Sequence, residues 1–86
     1  MLNIHRFSSN ARVVFSLSGR IEPEDVDELQ RLLSLEPPGQ SIVLDLQNLT
    51  LIDRNAQKFL AQCKAADIRL ENCPAYVREW IEAERG

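Results

Sequence analysis

A chain of 86 residues, 44% of them hydrophobic and 27% charged, has the make-up of one small globular domain spanning 1–86 and is too short for two independent cores. A formal net charge of −3, with ten scattered basic residues, excludes nucleic acid as a partner, because phosphate backbones are bound by clustered Lys and Arg. No stretch approaches the roughly 18 apolar residues of a membrane span, and residues 1–10 hold no leader-like apolar run, so the expectation is a cytoplasmic chain without direct membrane insertion.

Leu2–Phe7 and Ala11–Ser18 read as two strands around the turn-prone Ser8-Ser9-Asn10, an antiparallel hairpin. In the second strand Val13, Phe15 and Leu17 alternate with polar residues, Val14 adds apolar surface on the other face, and Gly19 is the expected stop. A helix follows from Pro23, which a first turn tolerates, with Glu22, Glu24 and Asp25 complementing its dipole. Val26, Leu29, Leu32 and Leu33 form its stripe, and Pro37, Pro38 and Gly39 end it. Ile42-Val43-Leu44 is a continuous apolar run, which predicts a strand covered on both faces. Arg54–Ala65 places Ala56, Phe59, Leu60 and Cys63 on one helical face. Ile68–Glu71 is a short strand, and Pro74 opens a last helix. There Val77, Trp80 and Ile81 are expected inward and Arg78, Glu79, Glu82 and Glu84 outward, with Tyr76 packing so that its hydroxyl reaches the rim; an exposed interface patch of Trp80 and Tyr76 is the weaker alternative. Strand alternating with helix after a hairpin predicts an α/β fold: a four-stranded, mixed, mostly parallel sheet with about three helices. In such sheets, sites lie beyond the carboxyl ends of the strands, which is where Asp53–Ala56 falls.

The residue inventory argues against catalysis and against metal or cofactor binding. His5 is the sole histidine, and Cys63 and Cys73 are too far apart for a redox or zinc pair, so both are expected as reduced, mostly buried thiols. The three glycines are far apart and form no phosphate-cradling loop. Asp45 and Asp53 could pair as acid and base or hold a metal. The simpler expectation is Asp45 hydrogen-bonded at a strand end and Asp53 capping a helix. The acidic segment Glu22–Gln30 is a secondary candidate for docking a basic partner.

In Val43-Leu44-Asp45-Leu46, followed by Leu49-Thr50-Leu51-Ile52-Asp53 opening a helix, the chain resembles STAS domains, the family of bacterial anti-sigma factor antagonists. The stretch from Val13 to Leu33 matches the family's strand, Gly-x-Ile turn and first helix, and Leu70–Ile81 occupies the place of its last strand and helix. The resemblance implies a protein–protein binding module with no enzymatic activity and no cofactor. In regulated family members a serine two places after the junction aspartate is phosphorylated by a partner kinase. Here Asn55 stands at that position, between Arg54 and Ala56, and an amide can neither accept phosphate nor mimic its charge. Asp53 can still cap the helix.

The expected partner-binding surface is therefore Asp53, Arg54, Asn55, Ala56 and Lys58. An anti-sigma factor is the expected partner, met without Ser phosphorylation. The alternative is an accessory STAS subunit of an ABC-type transport system, docking on a transporter ATPase. A third reading is a small-molecule binder that uses the strand ends.

Overall fold

Asn10 takes a left-handed backbone, φ 55°, at the tip between the first two strands, a conformation asparagine tolerates better than bulkier residues. The chain is seen in a computed structural model that describes residues 2–37 and 39–85, with side chains described as far as residue 83. Pro38 of the predicted helix stop and the predicted outward side chain of Glu84 lie outside the described residues. Around the tip, β1 (Leu2–Ser9) and β2 (Arg12–Ile21) pair antiparallel, from Ser9 opposite Arg12 to Leu2 opposite Gly19. Then come α1 (Pro23–Ser34), β3 (Ser41–Ile52), α2 (Arg54–Ala65), β4 (Arg69–Glu71) and α3 (Ala75–Arg85). The sheet runs β1-β2-β3-β4, with β3 parallel to both β2 and β4. This is the expected α/β arrangement: a mixed, mostly parallel four-stranded sheet, an N-terminal hairpin and three helices.

Val13, Phe15 and Leu17 of β2 and Leu44 and Leu46 of β3 supply the sheet side of the core. The helices close it with Leu29 from α1, Ala56, Phe59, Leu60 and Cys63 from α2, and Val77 and Ile81 from α3. α2 packs between α1 and α3, so all three helices form one layer on one face of the sheet.

That arrangement corrects the expectation of a β3 covered on both faces. On the face without helices, strand pairing sets Phe7, Val14, Val43 and Arg69 side by side, and Phe7 is 60% exposed. Val43 is nevertheless only 2% exposed. β2 and β4 flank β3 on its two sides, and Arg12 of β2 and Glu71 of β4 form an ion pair at 3.2 Å between these neighbours.

A second correction concerns β2, which does not end at Gly19 but continues to Ile21. Gly19 has φ 97°, a region open to glycine, and the strand passes through it while still pairing with β3. Opposite this stretch β3 carries an extra residue twice. Ser16 and Ser18 face Asp45 and Asn48, and Gly19 and Arg20 face Leu49 and Leu51. Each bulge flips the alternation, so Leu46, Leu49 and Ile52, spaced by three, all reach the core. The Asp45 carboxylate holds the first bulge: its Oδ1 accepts from the Gln47 N–H at 3.0 Å and from Asn72 Nδ2 at 3.2 Å. Asp45 is thus hydrogen-bonded as expected, but inside a longer strand rather than at its end.

The helix starts follow from local chemistry. Pro23 opens α1, and the Asp25 carboxylate accepts from the Glu22 N–H at 2.9 Å. Beyond its end, Glu36 receives two bonds from Arg6, at 2.9 and 3.0 Å, fastening the edge strand β1 to the helical layer. In α3, Val77 and Ile81 are buried as expected, but Trp80 is 42% exposed, which corrects its inward placement. α3 packs mainly against α2, which covers its Val77–Ile81 pair and leaves Trp80 at the edge.

Candidate interaction surface

β3 ends at Ile52, Asp53 turns the chain, and α2 begins at Arg54. Asp53 has extended backbone angles, and its Oδ1 accepts from the Ala56 N–H at 2.8 Å, an N-cap that satisfies one of the helix's free donors. The five residues singled out in the sequence separate by depth. Arg54, Asn55 and Lys58 are exposed, Asp53 is half-buried, and Ala56 is fully buried among the core residues. Ala56 therefore seats the helix, while the other four form or border the surface above it.

The first turn of α2 contains no acidic residue. The Asp53 carboxylate at the N-cap is the acid that meets the positive end of the helix dipole there, and Arg54 and Lys58 follow it on the exposed side. Next to them is a shallow cavity of about 530 Å³, lined by Ile52, Asp53, Arg54, Gln57, Trp80 and Ala83. Gln57 Nε2 donates to the Trp80 carbonyl at 2.7 Å and ties α2 to α3 across this cavity. The Trp80 ring meets Tyr76 edge-on, with centroids 6.3 Å apart and planes at 88°. The Tyr76 hydroxyl in turn donates to the Leu49 carbonyl at 3.4 Å. The junction, the last bulge of β3 and the aromatic pair of α3 are therefore one connected surface.

Sequence reasoning missed Gln57, and it ranked an exposed patch of Trp80 and Tyr76 below core packing, whereas Trp80 is exposed. Tryptophan at helical spacing from Val77 and Ile81 looks like core, and only the absence of a neighbour on that side leaves it exposed. Leu51, 48% exposed, is a further apolar residue at this end of the sheet, and it lies just after the second bulge, facing away from the core.

The other expected centres take structural roles. Among the described residues no group of three or more His, Cys, Asp or Glu side chains is placed to hold a metal ion. Both cysteines are free, Cys63 buried and Cys73 half-buried. Burial pushes the Cys63 thiol up to about 12, and it raises that of Cys73 against the opposing pull of Arg78 and Lys64. Neither is poised as a thiolate. No helix among the described residues is long and apolar enough to cross a membrane.

No protein-family model matches the chain, and no curated protein matches it. Solved structures do. The anti-sigma factor antagonist SpoIIAA in its unphosphorylated form superposes with a TM-score of 0.73 at 15% identity, over 96% of this chain and 81% of that one. The crystal structure of Mglu gives 0.62 at 23% identity over 83% of this chain, which spans only 19% of the Mglu chain. An uncharacterised DUF3478 protein with a SpoIIAA-like fold, from Shewanella loihica PV-4, gives 0.56 at 16% identity over 80% of this chain and 64% of that one. At these identities the likeness is one of fold, and it agrees with the strand order, the hairpin and the single helical layer: the chain has a SpoIIAA-like fold.

Proposed function

We propose that this domain is a non-enzymatic protein–protein interaction module, an anti-sigma factor antagonist-like regulator whose docking is not switched by phosphorylation at residue 55. The observation that carries this reading is the junction itself. An N-cap aspartate holds the start of α2, and the exposed position two residues later is Asn55. Arg54 and Lys58 flank it, and the exposed Trp80 lies beside it across the cavity. Exposed tryptophan and arginine side by side are the residue types that dominate binding energy in protein interfaces. The fold shared with SpoIIAA, an anti-sigma factor antagonist, adds support. In this reading the partner is an anti-sigma factor, met in the cytoplasm, with Asp53 positioning the helix and Arg54, Asn55 and Lys58 making contact.

The test is affinity capture with the whole domain from native lysate, with captured proteins identified by mass spectrometry. Arg54→Glu and Asn55→Glu each place a carboxylate at the contact and are expected to lower capture of an anti-sigma factor by roughly tenfold or more, with the melting temperature unchanged. Capture that is unchanged by both substitutions would sink the reading. Capture of a transporter ATPase instead would favour the accessory-subunit alternative, as would permease and ATPase genes beside this one.

A further inference from the structure

At the other end of α2, where its last turn meets β4 and α3, lies a cavity of about 290 Å³, separate from the Asp53 junction. Ile68, Leu70 and Ile81 give it an apolar lining, and Cys73 forms part of the wall. Lys64 from α2 and Arg78 from α3 also line it. Among the described residues neither of these cations lies within salt-bridge distance of a carboxylate. Arg78 makes one long bond, 3.5 Å, to the Cys73 carbonyl. Glu71, the acid of this sheet edge, is already held by Arg12 at 3.2 Å and Arg69 at 3.7 Å. Both side chains are exposed, and both line the mouth of the cavity, so their charges are open to a ligand entering it.

Two uncompensated cations over an apolar floor define a chemistry. We propose that this cavity binds a small amphipathic anion, a carboxylate on a short apolar chain. Its head sits between Lys64 and Arg78 and its chain lies on Ile68, Leu70 and Ile81. The size limits the ligand. Small-molecule sites run from about 300 to 1,000 Å³, so this one takes a short chain and not a lipid of membrane length. The arginine fork and lysine ammonium both favour a carboxylate, with bonds strengthened by charge on each partner. The buried apolar chain distinguishes such a ligand from free phosphate, which has nothing to place on the floor.

Cys73 makes the site measurable, because a bound ligand covers its thiol while the buried Cys63 serves as an internal control. The probe is octanoate, and the readout is the rate at which iodoacetamide alkylates Cys73 in the folded domain, followed by peptide mass spectrometry. Octanoate is expected to slow alkylation saturably, whereas octanol and inorganic phosphate at the same concentrations leave it nearly unchanged. Lys64→Glu and Arg78→Glu should each raise the octanoate concentration needed by roughly tenfold or more, and Arg78→Lys should restore most of the protection. The comparison of octanoate with octanol needs no variant, so it stands even if a substitution disturbs folding. Equal protection by octanol, equal protection by phosphate, or none by octanoate would each overturn the proposal.

Discussion

Asp53 shows how a single side chain can carry the local geometry of a surface without being its reactive group. Its carboxylate occupies the Ala56 N–H at 2.8 Å, and removing it leaves that donor unsatisfied at a half-buried helix start. Asp53→Ala is expected to cost about 0.5–2 kcal/mol in urea unfolding, and Asp53→Asn or Asp53→Ser much less, since both can still cap. Glu36 gives a second prediction, in pH. Its side chain is only 7% exposed, and the bonds from Arg6 hold its carboxyl below the usual 4.5. Because the folded value lies below the unfolded one, the stabilisation is present above about pH 4.5 and is lost as pH falls through the folded value. Glu36→Gln should therefore flatten the acid limb of stability against pH, measured by thermal melting from pH 7 downward. A wild-type acid limb in the variant would show that other carboxylates dominate. The capping role of Asp53 was legible in the sequence because capping depends on neighbours three residues apart. The Arg6–Glu36 clamp was not, because its partners are 30 positions apart.

Among the elements, β3 carries most of the information about how this domain differs from a regular parallel sheet. Its core residues fall at 44, 46, 49 and 52, a spacing no unbroken strand can turn to one side. The two bulges resolve the conflict, and they do so opposite Leu17 and Gly19 of β2, where the glycine backbone adopts φ 97°. Gly19→Ala places a β-carbon in that left-handed region and is expected to destabilise the domain by about 1–2 kcal/mol. Chemical denaturation would measure it, and an unchanged midpoint would mean that the strand re-registers without strain. The helix spanning Arg54–Ala65 was read from sequence with the ends it has in the structure, because its stripe has helical period and a capping aspartate. The continuation of β2 past Gly19 was not read, because glycine after a strand is ordinarily a stop.

On the scale of the whole molecule, one helical layer packed on one sheet face leaves a thin domain with little redundancy. At roughly 0.05–0.15 kcal/mol per residue, a chain of this length has a total stability of about 4–13 kcal/mol. Leu60 is fully buried in α2, the helix that touches both others. Leu60→Ala should cost about 2–5 kcal/mol and bring the domain close to unfolding at ambient temperature, seen as a large drop in its urea midpoint. A drop of less than about 1 kcal/mol would mean that the layer collapses around the cavity. The same thinness bears on function. Among the described residues no helix covers the far face, where Phe7 is open, and none covers Trp80 beside the α2 junction. The surface proposed to bind a partner is thus completed by a residue that a thicker fold would have buried.

By itself the sequence determined the order of strands and helices, the amphipathic faces, the cap at Asp53 and an amide rather than a hydroxyl at residue 55. All of these rest on spacings of a few residues, where backbone geometry dictates which side chains meet. Only the tertiary structure decided which of two apolar faces is covered. It also decided that Trp80 lies outside, that Arg12 and Glu71 pair between the strands flanking β3, and that Lys64 and Arg78 line one cavity. Periodicity states that a side chain has an apolar neighbourhood to seek, whereas burial depends on whether another element arrives there. That arrival is set by how the layers stack, and no local pattern encodes it.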